Sequence, residues 1–256
     1  MAANRLTGVR REVKYLLDSE KAKNAYEQLS KRVAPKIVDG ASRNYRVSIY
    51  LDTEDKSFSR AELKNSEKST KMRVKEYYQL ENASPLLSDL SWLEVKIRAG
   101  QMVEKSRFAV ANGAIADCLS RGPAPMVDSK DQAACEAFEM TRAGNPLIPI
   151  VVVHYRRATL QDKDAKLRIT FDDQITFHVP PRDLISDRLP CTRGSLPPPL
   201  LVEPRFVVEV KSLGAVPIWV EDVLGGHNQV AYSKFHTGVK ELERYGLLSD
   251  VSQGGQ

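Results

Sequence analysis

Apolar positions along the chain recur at two spacings. From Asn44 the period is two, with Val47, Ile49 and Leu51 alternating with Arg46, Ser48, Tyr50 and Asp52. That alternation predicts a half-buried strand. Strand patterns also occupy 12–17, 70–79, 91–98, 102–110, 148–160, 166–179 and 206–212. Elsewhere the period is helical. Ala22, Ala25, Tyr26, Leu29 and Val33 predict a helix over 19–33, with Ser19 as N-cap and Pro35 as the stop. A helical insert is expected over about 112–144, its first helix capped by Asn112 and ended by Gly122. Its second helix starts at a Ser129/Gln132 capping box and ends at Gly144. Short helices are expected over 219–224 and 239–245. Seven of the fourteen prolines fall in 180–204, which reads as a loop, and the tail 249–256 reads as frayed.

The polar sides of the strands are dominated by charge. Lys71, Arg73 and Lys75 share a face opposite Met72 and Val74. Glu94, Lys96 and Arg98 stand opposite Val95 and Ile97, and Lys105 and Arg107 lie beside Phe108. Arg168, Thr170 and Asp172 alternate with Leu167, Ile169 and Phe171. Glu209 and Lys211 alternate with Val208 and Val210, and Glu12 and Lys14 with Val13, Tyr15 and Leu17. One charged face is ordinarily a solvated face. Several in one chain imply either a broad basic slab or a charged lumen. A dry lumen cannot hold unpaired ions, so a lumen would be wet and filled by a polyanion. Arginine forks and lysine point charges suit phosphate oxygens. The acids among them can pair with neighbouring cations or hold Mg²⁺ or Mn²⁺.

Composition adds limits. In 256 residues, 42% are hydrophobic and 28% charged, which excludes a disordered chain. The net charge of +5 indicates an anionic partner without naming it. The three cysteines, Cys118, Cys135 and Cys191, form no CxxC and no even disulfide set, so a reducing, cytoplasmic compartment is expected. The N-terminus lacks a secretory apolar region. The longest apolar run, 147–153, contains Pro149 and is too short to span a bilayer. The four histidines are not clustered at metal-ligand spacing, and Gly225-Gly226 belongs to no phosphate-loop pattern. Cations without interleaved exposed aromatics argue against nucleic acid.

Read in order, the charged segments resemble a known family. They are Arg11-Glu-Val-Lys-Tyr15, Ser48-Ile-Tyr-Leu-Asp52, Lys71-Met-Arg-Val-Lys75, Glu94-Val-Lys96, Glu104-Lys-Ser-Arg-Phe108, Tyr155-Arg-Arg157, Arg168-Ile-Thr-Phe-Asp172, Glu209-Val-Lys211 and Ser233-Lys-Phe235. The set is similar to the triphosphate tunnel metalloenzymes. More narrowly it resembles the VTC domain, the polyphosphate polymerase domain of vacuolar transporter chaperone complexes and their bacterial relatives. The resemblance implies an α+β fold: a closed eight-stranded antiparallel β-barrel with helices packed outside, built by the whole chain 1–256 as a single tunnel domain.

The same resemblance implies a cytoplasmic phosphotransferase. It would move the γ-phosphoryl group of ATP onto a growing inorganic polyphosphate or pyrophosphate chain with Mn²⁺ or Mg²⁺. Lys14, Arg73, Lys75, Lys96, Lys105, Arg157, Arg168 and Lys211 would contact phosphate, with Lys71 and Arg107 on the same faces and Ser233 and Lys234 closing one end. Arg73, Lys75, Arg157, Arg168 and Glu209 form the catalytic set. Glu209 would be the principal metal ligand, with Glu12, Glu94 and Asp172 as possible second acids. Two positions depart from the family pattern: Lys75 replaces an arginine, and Ala231 stands where fungal members carry a lysine. The Arg156-Arg157 pair leaves open which one faces the lumen, and the Tyr-x-Arg spacing selects Arg157. Two rival functions remain: a triphosphatase or nucleotide hydrolase on the same fold, and a non-catalytic polyphosphate or inositol-polyphosphate binding module. A membrane partner is possible, and neither polymer length nor oligomeric state can be read.

Overall fold

The computed structural model describes residues 10–64, 67–82, 84–100, 102–124, 129–185 and 191–248. In chain order the elements are β1 (Arg10–Leu17), α1 (Ser19–Ser30), β2 (Arg43–Asp52), α2 (Ser57–Leu63), β3 (Lys68–Glu81), β4 (Ser84–Leu87), β5 (Leu90–Ala99), β6 (Met102–Ala111), α3 (Ile115–Arg121), α4 (Ser129–Arg142), β7 (Ile148–Gln161), β8 (Leu167–His178), β9 (Leu201–Glu203), β10 (Phe206–Leu213), α5 (Ile218–Leu224) and α6 (Lys234–Arg244). The strands form one sheet in the hydrogen-bonded order β1-β10-β8-β7-β2-β3-β5-β6, with β4 beside β3 and β9 beside β8. The order has two ends, β1 and β6. The α+β class holds, but the expected closed barrel is corrected to an open sheet. Period-two patterning specifies which side of a strand is buried, not whether the first and last strands meet.

The chain divides into two compact units. One comprises Met1–Tyr45, Tyr155–Ile175 and Glu203–Tyr232; the other comprises Arg46–His154, Thr176–Val202 and Ser233–Gln256. In the first, β1, β10 and β8 pair antiparallel. Their apolar faces bury Tyr15, Leu17, Ile169, Phe171, Val208 and Val210 against Ala22, Ala25 and Leu29 of α1 and Val220 and Leu224 of α5. Asp18, not Ser19, caps α1, its carboxylate accepting from the Lys21 backbone N–H at 2.8 Å. Aspartate caps as well as serine, so composition alone did not separate the neighbours.

In the second unit β3, β5 and β6 pair antiparallel, with α4 packed on β5 and β6 and Phe138 meeting Phe108 edge-on at 5.6 Å. Three elements here lie outside the sequence expectations: α2, β4 and β9. Helix α2 starts after Asp52, whose buried carboxylate accepts from the backbone N–H groups of Thr53, Phe58 and Ser59 and from Ser59 Oγ. That side chain satisfies two orphan donors of the first turn, Phe58 and Ser59, and Ser57 N donates to Thr53 Oγ1 at 3.4 Å. Asn112 opens a short 3-10 turn, and α3 has no side-chain cap. Helix α6 is longer than its expected 239–245 and begins after Ser233, whose Oγ accepts from His236 N at 3.2 Å. A Cβ on Gly238 would lie 2.9 Å from Val151 Cγ2, so this helix packs where only glycine fits. The side chain of Ser129, the expected cap, and the tail 249–256 lie outside what the structure describes.

The loop after β8 is pinned by two buried histidines in this unit. His154 Nε2 and Tyr78 Oη are 2.7 Å apart, and Arg193 N donates to Tyr78 Oη at 3.3 Å. His178 Nδ1 lies 2.7 Å from Pro197 O and its Nε2 2.8 Å from Thr176 Oγ1. Burial above all, then Arg193 and His178, pushes His154 down from 6.5 to about 4. A histidine neutral when folded stabilises the fold above its unfolded value, and that contribution is lost as pH falls from 6.5 toward 4. The expected loss approaches roughly 3 kcal/mol. Chemical denaturation across this pH range should show it, and His154→Gln should flatten the slope. An unchanged slope in the variant would contradict the assignment.

Candidate functional site

Each unit carries one charged strand face, and the two faces differ. In the first unit the pairing register sets Glu12 opposite Lys211, which is opposite Arg168. The next row sets Lys14 opposite Glu209, which is opposite Thr170. Acid and base therefore alternate along β1 and β10 and across that pair, while Lys211 faces a second cation on β8. Lys14 Nζ lies 3.0 Å from Glu12 and 3.7 Å from Glu209, and it donates to Tyr232 O at 2.9 Å. Lys211 Nζ lies 3.1 Å from Glu12 and 3.4 Å from Glu209. These four side chains form a quartet in which each lysine bridges both carboxylates. Burial raises the Glu12 carboxyl. The Lys211 and Lys14 charges outweigh it and hold Glu12 well below the usual carboxylate range.

Arg157 extends this face. Its Nη2 donates to Asp172 Oδ2 at 2.6 Å and its Nε to Asp172 Oδ1, making a two-pronged pair with a carboxylate only 1% exposed. Burial lowers the Arg157 guanidinium, but Asp172 above all, with a smaller contribution from Glu209, holds it well above its ordinary value. Arg156 turns the other way and pairs with Asp173. Arg168 is exposed beside Lys211. Thr170 Oγ1, next to Glu209 in the register, is buried and has no hydrogen-bond partner among the described residues.

The face of the second unit is overwhelmingly basic. Lys71 of β3 is directly opposite Lys96 of β5, which is directly opposite Lys105 of β6. Like charges in cross-strand register repel, so this row favours an anion over it. The neighbouring row reads Arg73, Glu94, Arg107. Glu94 is the one acid among the Lys71, Arg73, Lys75, Lys96, Lys105 and Arg107 positions. It is 2% exposed, accepts from Arg73 Nε at 2.9 Å and lies 3.3 Å from Lys105 Nζ. Burial raises its carboxyl, but Arg73, Lys75 and Lys105 hold it well below the usual range. Arg73 Nη1 also donates to Tyr50 Oη at 3.3 Å, and the Tyr50 ring lies 5.0 Å from that of Phe235. Tyr50 thus orients Arg73, while Asp52 seats α2. Arg107 sits over the Trp92 ring at 4.6 Å, and Lys75 over Tyr77 at 5.3 Å.

Ser233 and Lys234 stand at the start of α6. Ser233 Oγ accepts from Lys71 Nζ at 2.9 Å, and Lys71 also donates to Glu62 Oε1 at 2.7 Å. Glu62 was not singled out from sequence, because its partner lies nine positions away on another element. The expected residues thus group as Glu12, Lys14, Arg157, Arg168, Asp172, Glu209 and Lys211 in one unit, and Lys71, Arg73, Lys75, Glu94, Lys96, Lys105, Arg107, Ser233 and Lys234 in the other. Among the described residues no group of three or more His, Cys, Asp or Glu forms a metal cluster, and no helix is long and apolar enough to cross a membrane.

Comparison with solved structures finds low-identity likeness along most of the chain. A candidate adenylate cyclase from Bacillus halodurans is 12% identical, with 97% of this chain and 94% of that one covered and a TM-score of 0.43. The PH1819 protein of Pyrococcus horikoshii OT3 is 10% identical, with 91% and 99% covered and a TM-score of 0.44. A search of curated proteins finds no match. The decisive match is to a family: the VTC domain aligns with residues 9–243, a span that holds both charged faces. With its ordered Glu-x-Lys strands and that near-complete match, the chain belongs to the VTC domain family.

Proposed function

We propose that the protein is a metal-dependent polyphosphate polymerase, transferring the γ-phosphoryl group of ATP to the end of an inorganic polyphosphate chain. Membership of the VTC domain family supports a phosphate-handling role. The observation that carries the finer reading is the in-register Lys71–Lys96–Lys105 row, which sets three cations side by side; Glu62 pairs with Lys71 and Glu94 with Lys105, and the row with its flanking Arg73 and Arg107 suits a multiply charged anion.

In the transfer, the bond between the γ-phosphorus and its bridging oxygen breaks and ADP leaves. A terminal phosphate oxygen of the chain forms the new bond. The attacking oxygen is already anionic, so the step needs no dedicated base. What it requires is alignment and positive charge fixed in advance around the transferred group. Within the first unit Arg157 is oriented by Asp172 before substrate arrives, and Lys14 and Lys211 are set by Glu12 and Glu209 with Arg168 on the same face. Within the second unit Arg73 is oriented by Glu94 and Tyr50, and Lys75, Lys96, Lys105, Arg107 and Lys234 add positive charge to that unit.

Glu12 and Glu209 are the carboxylates that would hold a divalent ion, which would displace Lys14 and Lys211 from them. Mg²⁺ and Mn²⁺ take one or two carboxylates plus substrate phosphates rather than a full protein cage, and the unsatisfied buried Thr170 hydroxyl adds an oxygen beside Glu209. Bound there, the ion would neutralise donor phosphate charge. Glu94 and Asp172 are each committed to an arginine. The test is incubation with γ-labelled ATP and Mn²⁺ or Mg²⁺ followed by product separation. Polymer is expected; labelled free phosphate alone would support a hydrolase instead, and metal-independent polyanion binding without turnover a binding module.

A further inference from the structure

Lys71 is the lysine of its row that meets α2 and α6. Its Nζ is held 2.7 Å from Glu62 Oε1 and 2.9 Å from Ser233 Oγ, and it lies 5.5 Å from the Phe235 ring centroid. Glu62 is itself 8% exposed, and His236 Nδ1 lies 3.7 Å from the same Oε1. A buried carboxylate therefore stands where the lysine row meets α2 and α6. It satisfies part of the charge that a phosphate group would otherwise satisfy.

We propose that Glu62 is an internal counter-anion that competes with the phosphate chain for Lys71 and so weakens the grip on polymer at that end of the row. The inference rests on the phosphate-chain reading of the Lys71–Lys96–Lys105 face. Glu62 touches no substrate; it acts through Lys71 and is a positioning residue. Its role follows from charge balance. With Glu62 ionised, Lys71 offers a phosphate chain less net positive charge than it would without that carboxylate, and the chain is held less tightly where α6 begins. A chain that must advance as it grows needs such a weak point, because uniform tight binding slows release.

The experiment is titration of tripolyphosphate, without metal, into the wild-type chain, Glu62→Gln, Lys71→Gln and the double variant. Glutamine keeps the shape and an acceptor oxygen while removing one negative charge near the ligand. Glu62→Gln should tighten binding about tenfold, the scale of one unit charge a few ångströms away in partly solvated surroundings. It should also steepen the dependence on salt. Lys71→Gln in the Glu62→Gln background should remove the gain. Thermal melting of each variant checks folding, and Glu62→Asp, which keeps the charge, should bind like the wild type. Equal affinity of the wild type and Glu62→Gln, or weaker binding by a well-folded Glu62→Gln, would overturn the role of Glu62 alone. No binding by any variant would overturn the phosphate-chain reading as well.

Discussion

Glu209→Gln should lower metal-dependent turnover of ATP by at least about 10²-fold, the scale seen when a group fixing transition-state charge is removed, while the fold survives. The substitution keeps volume and one acceptor oxygen. Lys14 and Lys211 retain Glu12 at 3.0 and 3.1 Å, so neither cation loses its last carboxylate. What disappears is the second carboxylate of the Glu12–Glu209 pair, and with it half of the charge that would hold a divalent ion. The same change makes the face one unit more positive, so binding of tripolyphosphate without metal should be as tight as in the wild type or tighter. Steady-state turnover over a Mn²⁺ series, paired with metal-free titration, separates these effects. Full activity in the variant would reject the metal role, and parallel loss of metal-free binding would indicate a collapsed face.

Glu94→Ala should be the most damaging change to stability, costing about 3–5 kcal/mol, the scale for breaking a buried ion pair from one side. Its carboxylate is 2% exposed and serves Arg73 and Lys105 directly, with Lys75 contributing at longer range. Alanine leaves those cations facing one another next to the Lys71–Lys96–Lys105 row. Polyphosphate can replace the missing charge, so added tripolyphosphate should recover a larger share of the lost stability in the variant than it adds to the wild type. Denaturant midpoints with and without the anion measure this. The Glu94 carboxyl is depressed in the fold. Its contribution is therefore complete above the unfolded value of 4.5 and is lost progressively as pH falls from 4.5 toward the depressed folded value. A Glu94→Ala variant as stable as the wild type would mean that these cations do not depend on it.

The two faces also show what the sequence could convey. Strand alternation revealed the sides of β1, β3, β5, β6, β8 and β10, because a period of two assigns every residue to one face. It could not reveal that Lys71, Lys96 and Lys105 fall in one row, since register depends on how the β3–β5 and β5–β6 turns close. The Glu-x-Lys pattern on β1 and β10 marked both strands, but the quartet of Glu12, Lys14, Glu209 and Lys211 exists only because antiparallel pairing sets each acid opposite a lysine. Helix α2 was hidden because its start is fixed by Asp52 reaching forward to Phe58 and Ser59, and seven residues carry too few periods to read. Helix α6 was shortened because His236 and Gly238 blur its apolar stripe of Phe235, Val239 and Leu242. Closure of the sheet was an inference from resemblance, and the strand order leaves β1 and β6 as its ends.

Charge is distributed unequally between the faces. A net charge of +5 gives no hint of it. The β1–β10–β8 face is close to neutral because carboxylates interleave with its cations, an arrangement suited to a metal-bound donor. The β3–β5–β6 face is strongly basic with Glu94 at its centre, an arrangement suited to a polyanion.

The most direct test is the stoichiometry of γ-labelled ATP with Mn²⁺. The account predicts one phosphate incorporated into lengthening polymer for each ADP formed, with chain length increasing over time and the reaction suppressed in Glu209→Gln. ADP accompanied only by free phosphate, or no ADP with any divalent ion, would contradict it.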